Sequence, residues 1–409
     1  MKRVDFKFMA GAVIASLLVF TACSKDDDPG NGEENELTEL KGETTKSITL
    51  KQGKTYPLTG GFHVKSGATL TIEAGVTVIA KDDDVVDYIL IEQGAKIDAQ
   101  GTANTPIIMT SGKKEAGAWG GLHICGSAPT NIGAAGKSEI GDAAYGGNNA
   151  ADNSGTLRYI RLEYTGYAFS EEKEANGVTF YGVGNGTKVE YLQAYKGSDD
   201  GFEWFGGTVD AKYLVSTDCS DDSFDWTEGW SGRAQFLVAC QGAETSIGYD
   251  CDALIEADNN GTNAAATPVS HPTLANLTLI GNSYTVNKRG IRLRAGTQVS
   301  IYNALVTGKA NCLTTETTET EQALVNNTSV LNHIHLESGV STSSNGYTQD
   351  LFTQSANNNA INQMLTFTSK YIGTVTGGKD MPSVNAFFST ANYKGAVQTN
   401  SDWTMGWTL

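Results

Sequence analysis

The feature that most constrains this chain is a short pattern that recurs in phase. GLHICG at 121–126, GVTFYG at 177–182, GFEWFG at 201–206, SFDWTE at 223–228 and GIRLRA at 290–295 share one form. Gly or Ser is followed by apolar, any, apolar, any, and then a small or turn residue. Each copy is trailed by a second apolar-alternating element: LRYIRLEY at 157–164, VEYLQAY at 189–195, AKYLVS at 211–216, AQFLVA at 234–239 and VSIYNAL at 299–305. Self-similarity at a fixed short period, with no helical pattern between the strands, predicts a solenoid. Propeller blades need about 40 residues and four strands apiece, and a sandwich does not repeat in the same phase. The reading is an all-β, single-stranded right-handed parallel β-helix over 46–308, with earlier rungs in TLTIEAGVTVIA at 69–80 and LIEQGAKIDAQG at 90–101. Rungs stack about 4.8 Å apart. Past Gly308 the register fades into Thr/Asn-rich sequence, so 309–409 is read as last rungs plus a C-terminal cap, because a solenoid must cover its open end.

Inside the repeat, SDDGFEW at 198–204 returns as SDDSFDW at 220–226. Side chains alternate across a strand. Phe202 and Trp204, like Phe224 and Trp226, therefore share the inward slots of Val178 and Phe180, which predicts an interior aromatic ladder. Glu203 and Asp225 must point out of the bore, one rung apart, with Glu256 and Asp258 following in the same column and Arg292 and Arg294 beyond. Stacked like charges need a cation, a raised pKa or a basic neighbour. Asp199, Asp200, Asp221 and Asp222 add hard oxygen donors of the kind Ca²⁺ takes, although Asp-Asp at a turn can equally cap backbone N–H groups. The outward strip also holds Tyr181 and Phe205, expected either as a ring-stacking platform or as residues covered by the long Gly/Ala/Asn-rich loop 127–156. Trp230 and Arg233 are placed on the rim of the same strip. The candidate ligand-binding set is thus Tyr181, Glu203, Phe205, Asp225, Trp230, Glu256, Arg292 and Arg294, with Asp199, Asp200, Asp221 and Asp222 as candidate metal ligands and no catalytic residue assigned.

Residues 1–22 carry Lys2, Arg3 and Lys7 before an apolar run that ends in Phe20-Thr21-Ala22-Cys23, a lipobox-like signal peptide. Cys23 is the expected lipidation site, and 23–45 an acidic, flexible tether. The Ser24-Lys25-Asp26-Asp27-Asp28 that follows resembles the surface-export signal of outer-membrane lipoproteins, which places the protein on the extracellular face; a periplasm-facing lipoprotein with an acidic linker is the alternative. The net charge of −17 disfavours nucleic acid. Five cysteines remain after Cys23 without a C-x-x-C spacing, so neither a zinc site nor a disulfide framework is indicated.

WGGLHICG at 119–126, YGGNNAADNSGTLRYIRLEYTG at 145–166, IEADNN at 255–260, GIRLRAGT at 290–297 and the closing FFSTANYKGAVQTNSDWTMGWTL resemble a family of β-helical surface lipoproteins of Bacteroidota. The resemblance implies fold and surface address, and a partner in a TonB-dependent outer-membrane transporter; it transfers no catalytic residue. The expected function is capture or presentation of an extracellular glycan or peptide. A β-helical polysaccharide-degrading enzyme, a glycoside hydrolase or Ca²⁺-dependent lyase, is the alternative, and a structural spacer the second. The chain lacks the Gly-His-Gly of polygalacturonases, and no nucleophile elbow is present.

Overall fold

The computed structural model describes residues 37–409 apart from 84, 134–135, 171–172 and 345. The signal segment, Cys23 and most of the tether lie outside the described residues. The chain winds as a parallel β-helix, each strand pairing in register with its equivalent one turn on. On the first face Leu122–Cys125, Val178–Tyr181, Phe202–Phe205, Phe224–Thr227, Ile255–Ala257, Arg289–Leu293 and Asn311–Thr315 stack in sequence. The first strand, Leu40–Thr44, pairs with Thr55–Val64 and buries Leu40. Residues 40–44 thus belong to the first turn, although the sequence reading assigned them to the tether.

The remaining two faces come from single long strands bent at one residue. Gly155–Glu163, Lys188–Tyr195, Asp210–Thr217, Arg233–Cys240, Thr273–Ser283 and Ser300–Lys309 pair in that order. The bends fall at Tyr159, Tyr191, Tyr213, Phe236, Asn276 and Asn303, all with φ between 49° and 63°. A left-handed conformation costs an ordinary residue about 1–2 kcal/mol. Here it turns the strand without a loop and sends the corner side chain outward. The four aromatic corners then stack on one another, with centroids 4.3 Å, 4.3 Å and 4.8 Å apart and nearly parallel planes.

The bore is filled by the alternate residues the repeat marks as apolar. Phe202 stacks on Phe224 at 5.6 Å, and Phe180 on Trp204 at 5.7 Å. Trp204 and Trp226 pair in register, but it is Trp230, and not Trp226, whose ring stacks on Trp204, at 4.5 Å. Trp230 is a correction to the sequence reading. It stands at the corner after Phe224–Thr227, turns into the bore, and is 1 % exposed, its Nε1 donating to Val209 O at 3.2 Å. A turn residue can point either way, and a large ring without a partner outside goes where it removes most apolar area from water.

Residues 309–409 do two different jobs. Leu324 of the helix Thr318–Val325, with Tyr347 and Phe352, joins the main core and closes the open end. Beyond about residue 363 the chain runs back along the flank, against the corner column. Asn303 Nδ2 donates to Lys379 O, Asn276 Nδ2 to Tyr393 O, and Arg161 Nη1 to Trp407 O. Trp403 meets Tyr213 edge-on at 5.1 Å and Trp407 meets Tyr159 edge-on at 5.7 Å. This segment is therefore a strap over the outside of the coil, not an end cap.

Candidate functional site

The doubled motif divides by role. Ser220 Oγ donates to Ser198 O, and Asp222 N donates to Asp200 Oδ1 at 2.8 Å; Ala253 N donates in turn to Asp222 Oδ1 at 2.6 Å. The Ser and the second Asp thus staple one turn to the next, and the two aromatics fill the bore. The first Asp of each pair and the acid between the rings are left over. Asp199, Asp221, Glu203 and Asp225, with Asp200, line one cavity of about 200 Å³, completed by Glu139, Glu174 and Asn176.

Within it, carboxylate oxygens of Glu174, Asp199 and Asp221 lie within 4.8 Å of one another, as do those of Asp200, Glu203 and Asp225. Asp222, Asp225 and Glu256 form a further such group one turn along. Asn176 Nδ2 donates to Glu203 Oε2 at 2.5 Å. Asp225 Oδ1 is sealed from solvent and has no hydrogen-bond partner. Among the described residues no Lys or Arg lines the cavity. Two unit charges at 4.8 Å repel by ~3.5 kcal/mol at an effective dielectric of about 20, so the group resists full ionisation. Burial, reinforced by neighbouring carboxylates, lifts Asp199 to about 8, Glu139 to about 7 and Asp221 to about 6. It holds Asp200, Glu203, Asp222 and Asp225 well above the usual carboxylate range. The donor set is all oxygen, anionic, clustered and in part unsatisfied. That is the chemistry of a Ca²⁺-like hard cation, which takes six to eight such ligands, and the residues present fit it.

The outward column has the predicted register, Thr179↔Glu203↔Asp225↔Glu256↔Arg292. Its expected exposure needs correcting. Glu203 is 9 % exposed and Tyr181 fully buried, because excursions of the chain lie over the face. The hairpin Gly136–Lys137/Ala144–Tyr145 places the Tyr145 ring 5.1 Å from Tyr181, and Tyr181 Oη donates to Glu139 Oε2 at 3.3 Å. Phe205 is half-buried, stacked on Tyr181 at 4.7 Å. Of the two readings of these rings, the covering loop holds. At the far end, Arg292 bonds Glu256 at 2.5 Å and Glu316 at 3.1 Å. Arg294 bonds Asp258 at 2.7 Å and also contacts Glu256. The two arginines, with Glu256, form a closed ion-pair network outside the cavity lining, and Arg292 is pushed above its ordinary pKa chiefly by Glu316 and Glu256, against burial. Arg233 faces a different side, paired with Asp210.

Glu139, Glu174 and Asn176 escaped the sequence reading. Glu139 and Glu174 sit on excursions outside the repeat, and no spacing marks either as a neighbour of Asp199.

Fold and cavity together define a parallel β-helix with an acid-lined site on one face. Residues 42–408 match the family described as a pectate-lyase-like β-helix domain, and the chain belongs to that family. Comparison with curated proteins and with solved structures gives no match. Among the described residues no helix is long and apolar enough to cross a membrane.

Proposed function

We propose that the protein is a surface-exposed, lipid-anchored outer-membrane β-helix that captures an extracellular glycan or peptide through a divalent cation, Ca²⁺ by preference, held in the acidic cavity. The observation that carries this reading is the cavity itself, lined among the described residues by seven carboxylates and no basic side chain, with a sealed, unpartnered Asp225 oxygen. Asp199, Asp200, Glu203, Asp221 and Asp225 supply the ligands, and Asn176 orients Glu203. A bound cation offers open coordination positions to hydroxyl or carboxylate oxygens of the ligand. The address rests on the lipobox at Cys23, and the proposed partner is a TonB-dependent transporter. Calorimetric titration of chelator-treated protein with CaCl₂ is the direct test. Wild type is expected to bind at micromolar to millimolar Kd and Asp200→Asn/Asp225→Asn to lose at least tenfold; no heat of binding would sink the reading. A pull-down from outer membranes with the lipidated protein tests the partner.

A second reading, a polysaccharide-degrading enzyme, is favoured by one observation: Asp199 and Glu139 are held as acids near neutral pH beside other carboxylates, as a general acid for glycoside cleavage requires. An Arg-based lyase is disfavoured, since Arg292 and Arg294 are locked in ion pairs. Depolymerisation of a polysaccharide panel by wild type, abolished in Glu203→Gln/Asp225→Asn, would establish the enzyme over the binder.

A further inference from the structure

A cavity of about 550 Å³, larger than the acidic one, lies on a different face of the coil, where the long bent strands begin. Its floor is two outward columns in register. One runs Thr156↔Lys188↔Asp210 and the other Gln100↔Arg158↔Glu190↔Lys212. Its wall is Phe387 of the strap. The strap is pinned at that place: Arg233 Nη1 donates to Asn385 Oδ1 at 2.9 Å, Gln235 Nε2 to Ser389 O at 2.9 Å and Ser389 N to Gln235 Oε1 at 2.7 Å.

The charges of the lining are not equally committed. Asp210 accepts from Arg233 N at 2.8 Å, Nε at 2.9 Å and Nη2 at 2.5 Å, so both its oxygens are engaged. Glu190 lies 3.5 Å from Arg158 Nε and pairs in register with Lys212 on the next turn. Lys212 Nζ sits 4.6 Å from the centre of the Phe387 ring and donates to Ser389 Oγ at 2.9 Å, which leaves two of an ammonium's three donors. The ring also meets Arg233, at 5.0 Å, so its part is to seat the cations and not to stack on a ligand. Lys188 is exposed and, among the described residues, pairs with no acid. The spare capacity of this groove is therefore cationic, in a chain whose net charge is −17. Arg158 and Lys212 stand two turns apart, about 10 Å, with Lys188 on the turn between them.

The lining also limits what can bind. Each long strand of the floor is paired on both sides, so it offers no edge to a peptide strand. Leu157 and Val189 are buried beneath the floor, so it offers no apolar pocket for peptide side chains either. What it does offer beside the cations is the Thr156 hydroxyl and the amides of Asn185 and Gln100, partners suited to a hydroxylated ligand.

We propose that this groove is a second binding site, for an anionic oligosaccharide, in which Arg158 and Lys212 hold acid groups on alternate sugars and Lys188 binds the sugar between them. Carboxylate and sulfate groups share the chemistry that these cations recognise. The site works without a cation in the acidic cavity and does not rest on that reading.

Calorimetric titration of intact, chelator-treated protein with a hyaluronan hexasaccharide, which carries carboxylates alone, and a keratan sulfate hexasaccharide, which carries sulfates alone, tests it. One or both are expected to bind: hyaluronan alone assigns the site to carboxylates, keratan sulfate alone to sulfates, and both to either anion. Lys188→Gln/Arg158→Gln, two exposed changes that should leave the melting midpoint in place, are expected to weaken binding by roughly tenfold or more, and Lys188→Glu alone to weaken it likewise. Asp200→Asn/Asp225→Asn is expected to bind as wild type does. The proposal is overturned if neither hexasaccharide binds, if neutral cellohexaose binds as tightly, or if binding survives both groove variants. Equal affinity for hexaglutamate would make this an acidic-peptide site and overturn the glycan assignment. Loss of binding in Asp200→Asn/Asp225→Asn would move the ligand to the acidic cavity and overturn the second site. Calcium titration judges the cation reading separately, and failure of either leaves the other standing.

Discussion

Asp225 has one carboxylate oxygen without a partner, beside Glu256, Asp258 and Asp221, with Arg294 the opposing charge among the causes that act on it. Removing that charge without changing shape should help the metal-free protein and hurt the loaded one. Asp225→Asn is expected to raise the thermal midpoint of chelated protein by a few degrees and to abolish most of the calcium-induced rise, both read by calorimetric melting. Trp230 shows the opposite economy. It fills the space beside Trp204, and Trp230→Ala should cost about 3–5 kcal/mol through the void it leaves, measured by denaturant unfolding. Glu228 gives a pH dependence. Burial lifts its carboxyl to about 7 against the hydrogen bond from Tyr145, the one cause that opposes it, and Glu139 lies close enough to feel its charge. Between about 4.5 and 7 the folded protein keeps a proton that the unfolded chain has released. Stability therefore falls as pH rises through that window, and Glu228→Gln is expected to lessen the fall.

At the scale of elements, the corner column explains how strands of eight to eleven residues serve two faces. A left-handed residue in each bends the ladder, and the strain is shared by stacking and by the strap that covers the stack. Asn276 is the most exacting of these corners: it tolerates positive φ better than most residues, accepts from Gln235 and donates to Tyr393 O. Asn276→Ala removes the tolerance and both bonds, and is expected to cost about 2–4 kcal/mol, seen as a lowered unfolding midpoint. The strap itself is predicted to be indispensable. Deleting 363–409 uncovers Tyr159, Tyr191 and Tyr213 together, and the truncated protein should bind a hydrophobic dye and self-associate in light scattering.

Across the whole molecule, the coil acts as a ruler that sets side chains one turn apart. The same register that stacks phenyl rings inside places carboxylates at repelling distance outside. That conflict is useful only if something resolves it, and the cavity of acids with raised pKa values is where it goes unresolved within the chain. Further along, where Arg292 and Arg294 follow Glu256 and Asp258, the chain supplies its own counter-charge and the surface closes. The acidic end and the neutralised end of one column are thus distinguished only by which residue the next turn brings.

Register, bore and outward column were legible in the sequence because a strand's alternation is local: six residues of pattern decide which side each faces, and the repeat carries that decision along the coil. Contacts between segments far apart in the chain were not. Whether Tyr181 meets water depends on a hairpin some forty residues before it; Trp230 turned inward because a neighbouring turn left room; Glu139 and Glu174 reached the cavity from excursions with no periodicity to betray them; and the last forty-odd residues lay down on the flank because Tyr159, Tyr191 and Tyr213 offered a ridge there. Packing between distant segments depends on shape complementarity, which no short window of residues encodes, so the alternation settled the scaffold and the tertiary fold settled what covers it.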